Sequence, residues 1–370
     1  MTINRAVTYS GGGANILFLA GVAKYFKENN IKFDAAYGVS SGALTAVMEG
    51  LGKTDRLLEI VQTVKDRDVF KKGFLPWTVL KMLLFKRLYL YNNEPLWELL
   101  KREAIGTYKM PVEVGVVDVS DTGRFSVHSN DEPGFKKYAL ASTAIPFVFP
   151  PVAMNGRMLV DGGLLHVNPL GHLIKNYDPN EIIIVNTYRS ELRDLQLKYP
   201  RNLIDYAGTM IRIIMAQSMN DDIHQFLHIN ELVKQAAEQG AKIYSPSGRE
   251  YKYFKYRLIE AEKYTGNSID FTNADRRLID HGYEQAQGAY WGRSSYTFTT
   301  TGSGDPLYVA QMEYPGAYEG AETSEEPVSR AHEKTSANFK KLKQKIEIEA
   351  INKVAVKKPA RKPKGTRKGK

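Results

Sequence analysis

The chain contains no cysteine among its 370 residues. This absence excludes disulfide scaffolds, thiolate metal sites and a cysteine nucleophile, and it suits a reducing compartment. No stretch approaches the ~18 consecutive apolar residues of a membrane-spanning helix. Residues 1–10 lack the charged segment and apolar core of a signal peptide. We therefore expect a cytoplasmic protein without a transmembrane segment, in which any membrane contact is peripheral.

Acidic residues are nearly absent from the C-terminal end. Between Lys334 and Lys370 there are 14 Lys/Arg and only two acidic residues, Glu347 and Glu349. The other 333 residues carry 37 basic and 39 acidic groups, so their net charge is −2 although the whole chain has +10. The basic character therefore belongs to a tail and gives no information about the substrate of the body.

The first fifty residues alternate between expected strands and expected helices. Arg5–Ser10 and Ile31–Gly38 have strand-like patterns, whereas Ala14–Asn29 and Ser41–Leu51 have helical spacing. This order predicts a mostly parallel sheet covered by helices in three α/β/α layers. Further expected elements are a strand at Val112–Val119, a hairpin turned by Asn155-Gly156, a strand at Glu181–Thr187, and helices at Asn202–Gln239 and Asn273–Gly288.

Composition divides the chain into three parts. We expect one α/β domain over residues 1–290, followed by a linker rich in Ser, Thr, Gly, Pro and Glu over residues 291–332. Residues 333–370 form the basic tail, in which Glu333–Ala355 could form a charged helix.

Gly38-Val39-Ser40-Ser41-Gly42 matches the pattern G-x-S-x-G between an expected strand and an expected helix. A sharp turn there lifts the serine hydroxyl clear of the backbone, and Gly38 and Gly42 remove Cβ atoms that would clash. The N–H groups that open the next helix favour negative charge. The motif alone fits equally well a nucleophile elbow around Ser40 and a plain Gly/Ser turn.

Three consecutive glycines, Gly11, Gly12 and Gly13, follow the first expected strand. Their exposed N–H groups suit the oxyanion of an acyl-transfer intermediate or a phosphate. No Gly-Lys-Ser/Thr follows, which disfavours a P-loop, and the spacing to Gly21 fits a dinucleotide-binding loop poorly. A flexible turn is the alternative. If the first two strands are parallel neighbours, this loop and Ser40 lie at the same sheet edge.

Asp161-Gly162-Gly163 directly follows the second strand of the expected hairpin. A carboxylate in this position can be held at a fixed depth while the glycine backbone passes close to another loop. Taken alone, the segment is better explained as an Asp-Gly turn.

Together and in this order, these motifs make the sequence resemble the patatin-like phospholipases, which are lipid acyl hydrolases. The resemblance covers roughly residues 5–288 and rests on GGG at 11–13, GVSSG at 38–42, ASTAIPFVFPPV at 141–152 and VDGGLLHVNP at 160–169. It implies hydrolysis of carboxylic esters in phospholipids or other acyl lipids. It also implies a Ser-Asp dyad without histidine, with Ser40 as the nucleophile, Asp161 as the base, and Gly11–Gly13 as the oxyanion hole. No metal or cofactor is expected.

The glycine loop departs from the family pattern in one respect. The family continues it with a small residue, then Arg or Lys, then Gly, whereas this chain has Ala14-Asn15-Ile16. The positive charge is therefore lost, although the Asn15 amide can still donate hydrogen bonds.

Two other functions stay open at this point. An esterase of the α/β-hydrolase type would use Ser40, an Asp and a histidine, and His281 satisfies the required chain order. A lipid- or nucleic-acid-binding protein could keep the fold with an impaired glycine loop. The histidines that such a triad could draw on are His128, His166, His172, His224, His228, His281 and His332.

Two segments are candidates for contact with partners. Phe74–Tyr91 is dense in aromatic and aliphatic residues with interspersed Lys81, Lys86 and Arg87. It fits a helix lying on a lipid surface, although a core or subunit-contact helix is slightly favoured. The basic tail could bind anionic lipid or nucleic acid, or could have no dedicated partner.

The charge division predicts that the tail acts separately from catalysis. Deleting residues 334–370 should leave the turnover of a small soluble ester unchanged. It should weaken binding to anionic vesicles or nucleic acid, and the loss should shrink as salt rises, because salt screens these charges. Vesicle co-sedimentation and filter binding of both proteins at low and high salt measure this effect. Equal binding at low salt would mean that the tail serves neither partner.

Overall fold

The computed structural model describes residues 3–71, 89–121, 123–188, 203–246, 248–262 and 269–290. Within this part of the chain, eight strands form one sheet. They are β1 (Arg5–Tyr9), β2 (Ala35–Gly38), β3 (Val112–Asp118), β4 (Arg124–Ser129), β5 (Val152–Met154), β6 (Arg157–Asp161), β7 (Glu181–Asn186) and β8 (Lys255–Glu260).

The sheet is mixed, with a parallel centre. Five strands run parallel in the order β3-β2-β1-β7-β8. The hairpin β5-β6 and strand β4 add antiparallel pairs at β3. The predicted α/β class with a mostly parallel sheet is therefore confirmed.

Nine α-helices flank this sheet in the described residues. They are α1 (Ile16–Glu28), α2 (Ser41–Gly50), α3 (Thr54–Thr63), α4 (Asp66–Val69), α5 (Glu94–Glu103), α6 (Phe135–Ala141), α7 (Leu170–Tyr177), α8 (Leu203–Glu238) and α9 (Leu278–Tyr290). None of the helices in these ranges combines the length and apolarity needed to cross a bilayer.

Both faces of the sheet are buried, because alternate side chains of the central strands enter different cores. In β7, Ile183 and Val185 pack with α1 and α2, whereas Ile182 and Ile184 pack with α7 and α8. This two-sided burial explains the continuous apolar run of the strand. One core lies between the sheet and the helices on each side, which gives the three-layer arrangement.

Two boundaries differ from the sequence expectation by four or more residues. Strand β2 begins at Ala35 rather than Ile31, since the Asp34 carboxylate accepts the N–H groups of Asn4 and Arg5 at 2.9 Å and holds the preceding residues in a loop. Helix α9 begins at Leu278 rather than at Asn273. The Arg276 guanidinium donates to the carbonyl oxygens of Val61 and Val64 at 2.8 Å, which fixes this segment as a loop against α3.

Some predicted features lie outside the described residues. They include residues 74–88 of the candidate interfacial segment Phe74–Tyr91, the linker at 291–332 and the tail at 333–370. The domain boundaries therefore stay predictions.

Helices α1 and α9 approach each other through one glycine from each. A Cβ atom on Gly21 would lie 1.8 Å from the Ile279 carbonyl oxygen, and one on Gly282 would lie 2.1 Å from that of Phe18. Since both obstacles are backbone atoms, neither contact can be relieved by rotating a side chain. The absence of a side chain at these positions sets the separation of the two helices.

We predict that Gly21→Ala and Gly282→Ala each lower the free energy of unfolding by ~1–3 kcal/mol or more, because the helices must move apart. Gly288→Ala is the matched control, since it lies in α9 with no atom within 4 Å of the added Cβ. It should be neutral or stabilising by up to ~1 kcal/mol, because alanine favours the helix. Denaturant melts of the three variants measure these changes, and equal effects at all three positions would contradict the close contact.

Candidate active site

Ser40 occupies a strained turn between β2 and α2. Its backbone has φ 58° and ψ −128°, a conformation that disfavours side chains, and the residue is 2% exposed. Such strain typically costs ~1–3 kcal/mol and persists only where the surrounding structure imposes it. Helix α2 begins at the next residue, so its unpaired N–H groups point toward the turn.

The glycines on either side of Ser40 allow this turn to form. A Cβ on Gly38 would lie 2.2 Å from the Gly42 carbonyl oxygen, and one on Gly42 would lie 2.1 Å from that of Tyr9. Helix α2 therefore packs directly on the end of β1. The close packing explains why the motif has glycine at both positions.

The glycine loop lies against Ser40. A Cβ on Gly11 would be 2.7 Å from the Ser40 Cβ, and Gly13 has a φ of 57°, which favours glycine. The backbone N–H groups of Gly11 and Gly12 donate to no acceptor within the described ranges. The structure thus brings together the loop and the serine, as expected for parallel neighbouring strands, and leaves these two donors available.

Two buried hydroxyl groups hold this loop. The Thr187 hydroxyl donates to the Gly11 carbonyl oxygen, and the Thr187 N–H donates to Ser10 Oγ at 2.8 Å. The two hydroxyl oxygens lie 3.2 Å apart. Sequence analysis missed both residues, because Thr187 ends a strand far along the chain and neither carries a motif.

Asn15 stands where the family has Arg or Lys. Its side chain is fully buried, and neither Nδ2 nor Oδ1 has a hydrogen-bond partner among the described residues. The amide nitrogen lies 3.1 Å from the position of a Cβ on Gly12. Asn15 therefore faces the loop without fastening it, and Ser10 and Thr187 supply the hydrogen bonds instead.

Asp161 reaches Ser40 through strand pairing. Strand β2 pairs with the first half of β3, where Gly38 lies beside Val114, and β6 pairs with the second half, where Asp161 lies beside Val116. Strand β4 occupies one edge of β3 along nearly all of its length, so β2 and β6 share the other edge of β3. The end of β6 therefore meets the end of β2, from which the Ser40 turn leaves.

The Asp161 carboxyl group is fully buried. Oδ1 accepts the Gly163 N–H at 2.8 Å, whereas Oδ2 has no hydrogen-bond partner in the described ranges. Burial raises the pKa of Asp161 to about 7, because desolvation opposes the charged form. The Gly163 bond and the Ser40 hydroxyl partly offset this rise. The Ser40 hydroxyl lowers the Asp161 pKa in this way, although the two side chains do not form a hydrogen bond.

The two glycines after Asp161 keep the backbone close to its neighbours. A Cβ on Gly162 would lie 2.5 Å from the Gly115 carbonyl oxygen. A Cβ on Gly163 would lie 3.1 Å from Asp161 Oδ1. The segment is therefore more than a simple surface turn, because it anchors the carboxyl group at a fixed depth.

Ser142 is a further site residue that sequence analysis did not single out. Its Oγ accepts the Ser40 N–H at 2.9 Å, and the Asp161 N–H donates to the nearby Ala144 carbonyl oxygen at 3.0 Å. One loop thus fixes the backbone of both Ser40 and Asp161. The motif ASTAIPFVFPPV, which begins at position 141, contained the signal for this role.

No histidine forms a hydrogen bond or ion pair with Ser40 or Asp161 in the described part of the chain. The His281 ring packs against Phe18, and its Nε2 accepts the Glu262 N–H at 3.2 Å. His166 lies five residues after Asp161, but its Nδ1 pairs with Asp222 at 2.7 Å. Among the described residues, no cluster of three acidic or histidine side chains could hold a metal ion.

An apolar cavity begins at the same point. It has a volume of about 870 Å³ with its open mouth included, and Gly13, Ser40 and Thr143 line it. Most of the side chains that line it are apolar. The serine hydroxyl therefore borders a space able to hold a hydrocarbon group.

Residues 7–174 match the family model described as patatin-like phospholipase, which confirms the resemblance drawn from the motifs. The chain is 25% identical over 247 residues to the uncharacterized protein YqhO of Bacillus subtilis (strain 168), covering 60% of this chain and 81% of that protein.

Two solved structures are similar at low identity. VipD from Legionella pneumophila has a TM-score of 0.40 and 14% identity over 78% of this chain and 67% of that one. The type III effector protein ExoU, from Pseudomonas aeruginosa, has a TM-score of 0.35 and 11% identity. That match covers 77% of this chain and 52% of the effector, so the chain spans about half of its length.

The raised pKa of Asp161 predicts a stability change that depends on pH. Because the folded-state pKa of about 7 lies above the ~3.9 of unfolded aspartate, the folded protein loses stability as pH rises between these values. Asp161→Asn stays neutral and can still accept the Gly163 N–H. It should therefore exceed the parent in stability at about pH 8, by up to ~4 kcal/mol, and by much less at about pH 5. Thermal melts across this range test the prediction, and a difference that does not change with pH would contradict it.

Proposed function

We propose that this chain, in which residues 7–174 match the patatin-like phospholipases, hydrolyses carboxylic esters of acyl lipids through a dyad of Ser40 and Asp161. The observation that carries the proposal is the strained Ser40 turn beside a fully buried aspartate. The family supports lipid acyl hydrolysis in general. The residues and their order of action are inferred from the chemistry of the site.

The first half of the reaction forms an acyl-enzyme. Asp161 accepts the proton of the Ser40 hydroxyl as Oγ attacks the ester carbonyl carbon. The carbonyl oxygen becomes an oxyanion, which receives hydrogen bonds from the N–H groups of the Gly11–Gly13 loop, worth about 3 kcal/mol for each donor. The carbon–oxygen bond to the alcohol then breaks, and protonated Asp161 gives its proton to the departing alkoxide.

The second half regenerates the enzyme. Water attacks the carbonyl carbon of the acyl-Ser40 ester, and Asp161 takes one of its protons. The bond to Ser40 Oγ then breaks, the proton returns to that oxygen, and a carboxylic acid leaves. The complete reaction consumes one water molecule and involves no change of oxidation state.

A carboxylate can serve as the base here because of its surroundings. An exposed aspartate with a pKa of ~3.9 accepts a proton poorly at neutral pH. Burial raises the pKa of Asp161 to about 7, where proton affinity and the deprotonated fraction are both adequate near neutral pH. The dyad therefore has no chemical need for an imidazole between the two residues.

The dyad predicts strongly non-additive mutations. Ser40→Ala and Asp161→Asn should each reduce the rate of ester hydrolysis by at least about 10³-fold, because each removes one half of the proton transfer. The double variant should lose little more than either single one. Initial rates on a soluble p-nitrophenyl ester and labelling of Ser40 by a fluorophosphonate measure the effect, with circular dichroism as the folding check.

Histidine variants separate this mechanism from a triad. His281→Gln and His166→Gln should keep most of the activity, since neither residue forms a hydrogen bond or ion pair with Ser40 or Asp161. An inactive but folded His281→Gln beside an active Asp161→Asn would replace the dyad with the α/β-hydrolase arrangement. Absence of both turnover and Ser40 labelling in the parent protein would instead indicate a binding protein.

A further inference from the structure

The apolar cavity extends from Ser40 along one face of helix α2. Its lining includes Ser41, Leu44 and Met48, which are spaced so that they share one side of the helix. Ser41 is the first residue of α2 and adjoins the serine, whereas Met48 is seven residues further along. With a rise of ~1.5 Å per residue, this wall is about 10 Å long.

Two other helices provide walls of the same length. Helix α3 and the residue after it line the cavity from Leu57 to Val64, and α5 lines it from Leu96 to Glu103. Each span again covers seven residues, or about 10 Å. Segments of three helices thus bound the cavity over similar lengths.

The end of the cavity farthest from Ser40 can be identified by contacts. Met48 and Leu57 belong to the same apolar cluster. Lys53 joins Met48 to the end of α5, because its N–H donates to the Met48 carbonyl oxygen and its ammonium group donates to that of Glu103, both at 2.8 Å. The last turns of α2 and α5, which carry Met48 and Glu103, are therefore held together at the end of α2 farthest from Ser40.

The apolar lining stops at this end. Glu103 is the only charged residue among those that line the cavity in the described ranges. Arg56 donates to both of its carboxylate oxygens at 2.8 Å, and this pairing, with that of Arg102, lowers the pKa of Glu103 to about 2. The carboxylate thus stays charged, and a hydrocarbon chain gains nothing by extending past it.

The depth of the cavity can be expressed as a number of carbon atoms. An extended chain advances ~1.2 Å per bond, as the ~3.3–3.6 Å span of three backbone bonds shows. About eight bonds therefore fit between the nucleophile and Met48. A straight acyl group of about eight to ten carbons would fill this length.

We propose that the cavity binds the acyl chain of the substrate, and that Met48 at its far end limits the length of this chain to about ten carbons. The inference rests on the proposed function in that it assigns Ser40 to the ester carbonyl. It adds that the enzyme selects the acyl part, and that the alcohol part stays outside this cavity and is discriminated little.

Two series of soluble esters test which part of the substrate enters. In the first, the acyl group of p-nitrophenyl esters is lengthened from about two to twelve carbons; in the second, the alcohol of a butanoyl ester is lengthened. We expect kcat/KM to rise about fourfold per methylene in the acyl series and to level off near ten carbons. It should change little in the alcohol series. The reverse dependence would overturn the assignment.

Variants of the cavity wall test the length limit. Met48→Ala removes most of a side chain and should move the levelling point about three carbons further. Leu44→Trp narrows the cavity midway and should lower the ratio of decanoyl to butanoyl turnover. Met219→Ala is the matched control, since Met219 is equally buried but lies in the core on the other face of the sheet. Its length profile should equal that of the parent, with thermal melts checking all three folds.

Measuring the binding of compounds that cannot be cleaved tests this inference independently of the proposed catalytic function. Straight-chain methyl ketones mimic the ester without being cleaved, and calorimetry on Ser40→Ala should show affinity rising about fourfold per methylene to about ten carbons. Affinity that ignores chain length, or that Met48→Ala leaves unchanged, would overturn the inference even if esters are hydrolysed. The expected binding profile in a protein that cleaves no ester would support the inference and reject the catalytic proposal.

Discussion

Strand β3 brings the two candidate reacting groups together, because β2 and β6 share one of its edges. Gly38 pairs with Val114 and Asp161 pairs with Val116, so the two strand ends meet about 7 Å apart along β3. A slip of β6 by one residue would turn the Asp161 side chain to the opposite face of the sheet. The pairing register therefore decides whether Ser40 has a carboxyl group beside it.

The burial that makes Asp161 a candidate base also destabilises the folded protein. Removing a carboxylate from water raises its pKa to about 7, and the single Gly163 N–H offsets only part of this penalty. The strained backbone of Ser40 adds a second unfavourable contribution at the same place. The two extensive cores on either side of the sheet stabilise the fold enough to offset the buried Asp161 carboxyl group and the strained Ser40 backbone.

Helix α2 connects the chemistry of the site to its shape. Its first turn stabilises the Ser40 backbone and favours negative charge, while one of its faces continues as a wall of the apolar cavity. The helix is held against β1 because Gly42 allows backbone contact with Tyr9. One helix thus fixes both the position of Ser40 and the direction of this wall of the cavity.

The sequence by itself predicted the features that depend on neighbouring residues. Glycine is required where Cβ atoms would collide, so Gly11, Gly38 and Gly42 mark the tight turns, and Asn155-Gly156 marks the hairpin because both residues adopt positive φ. The unbroken apolar run of β7 similarly marked a strand buried on both faces. Helical and strand periodicity is also a local pattern of a few residues, and it was sufficient to predict the α/β class.

Only the tertiary structure decided which of these local features meet. The depth at which Asp161 is desolvated, the hydroxyl groups of Ser10 and Thr187 that hold the glycine loop, and the support that Ser142 gives to Ser40 all join segments distant in the chain. The cavity also needed helices α3 and α5, whose packing no local pattern specified. Desolvation and strand register depend on what the rest of the chain places around a residue, and for that reason no short motif encodes them.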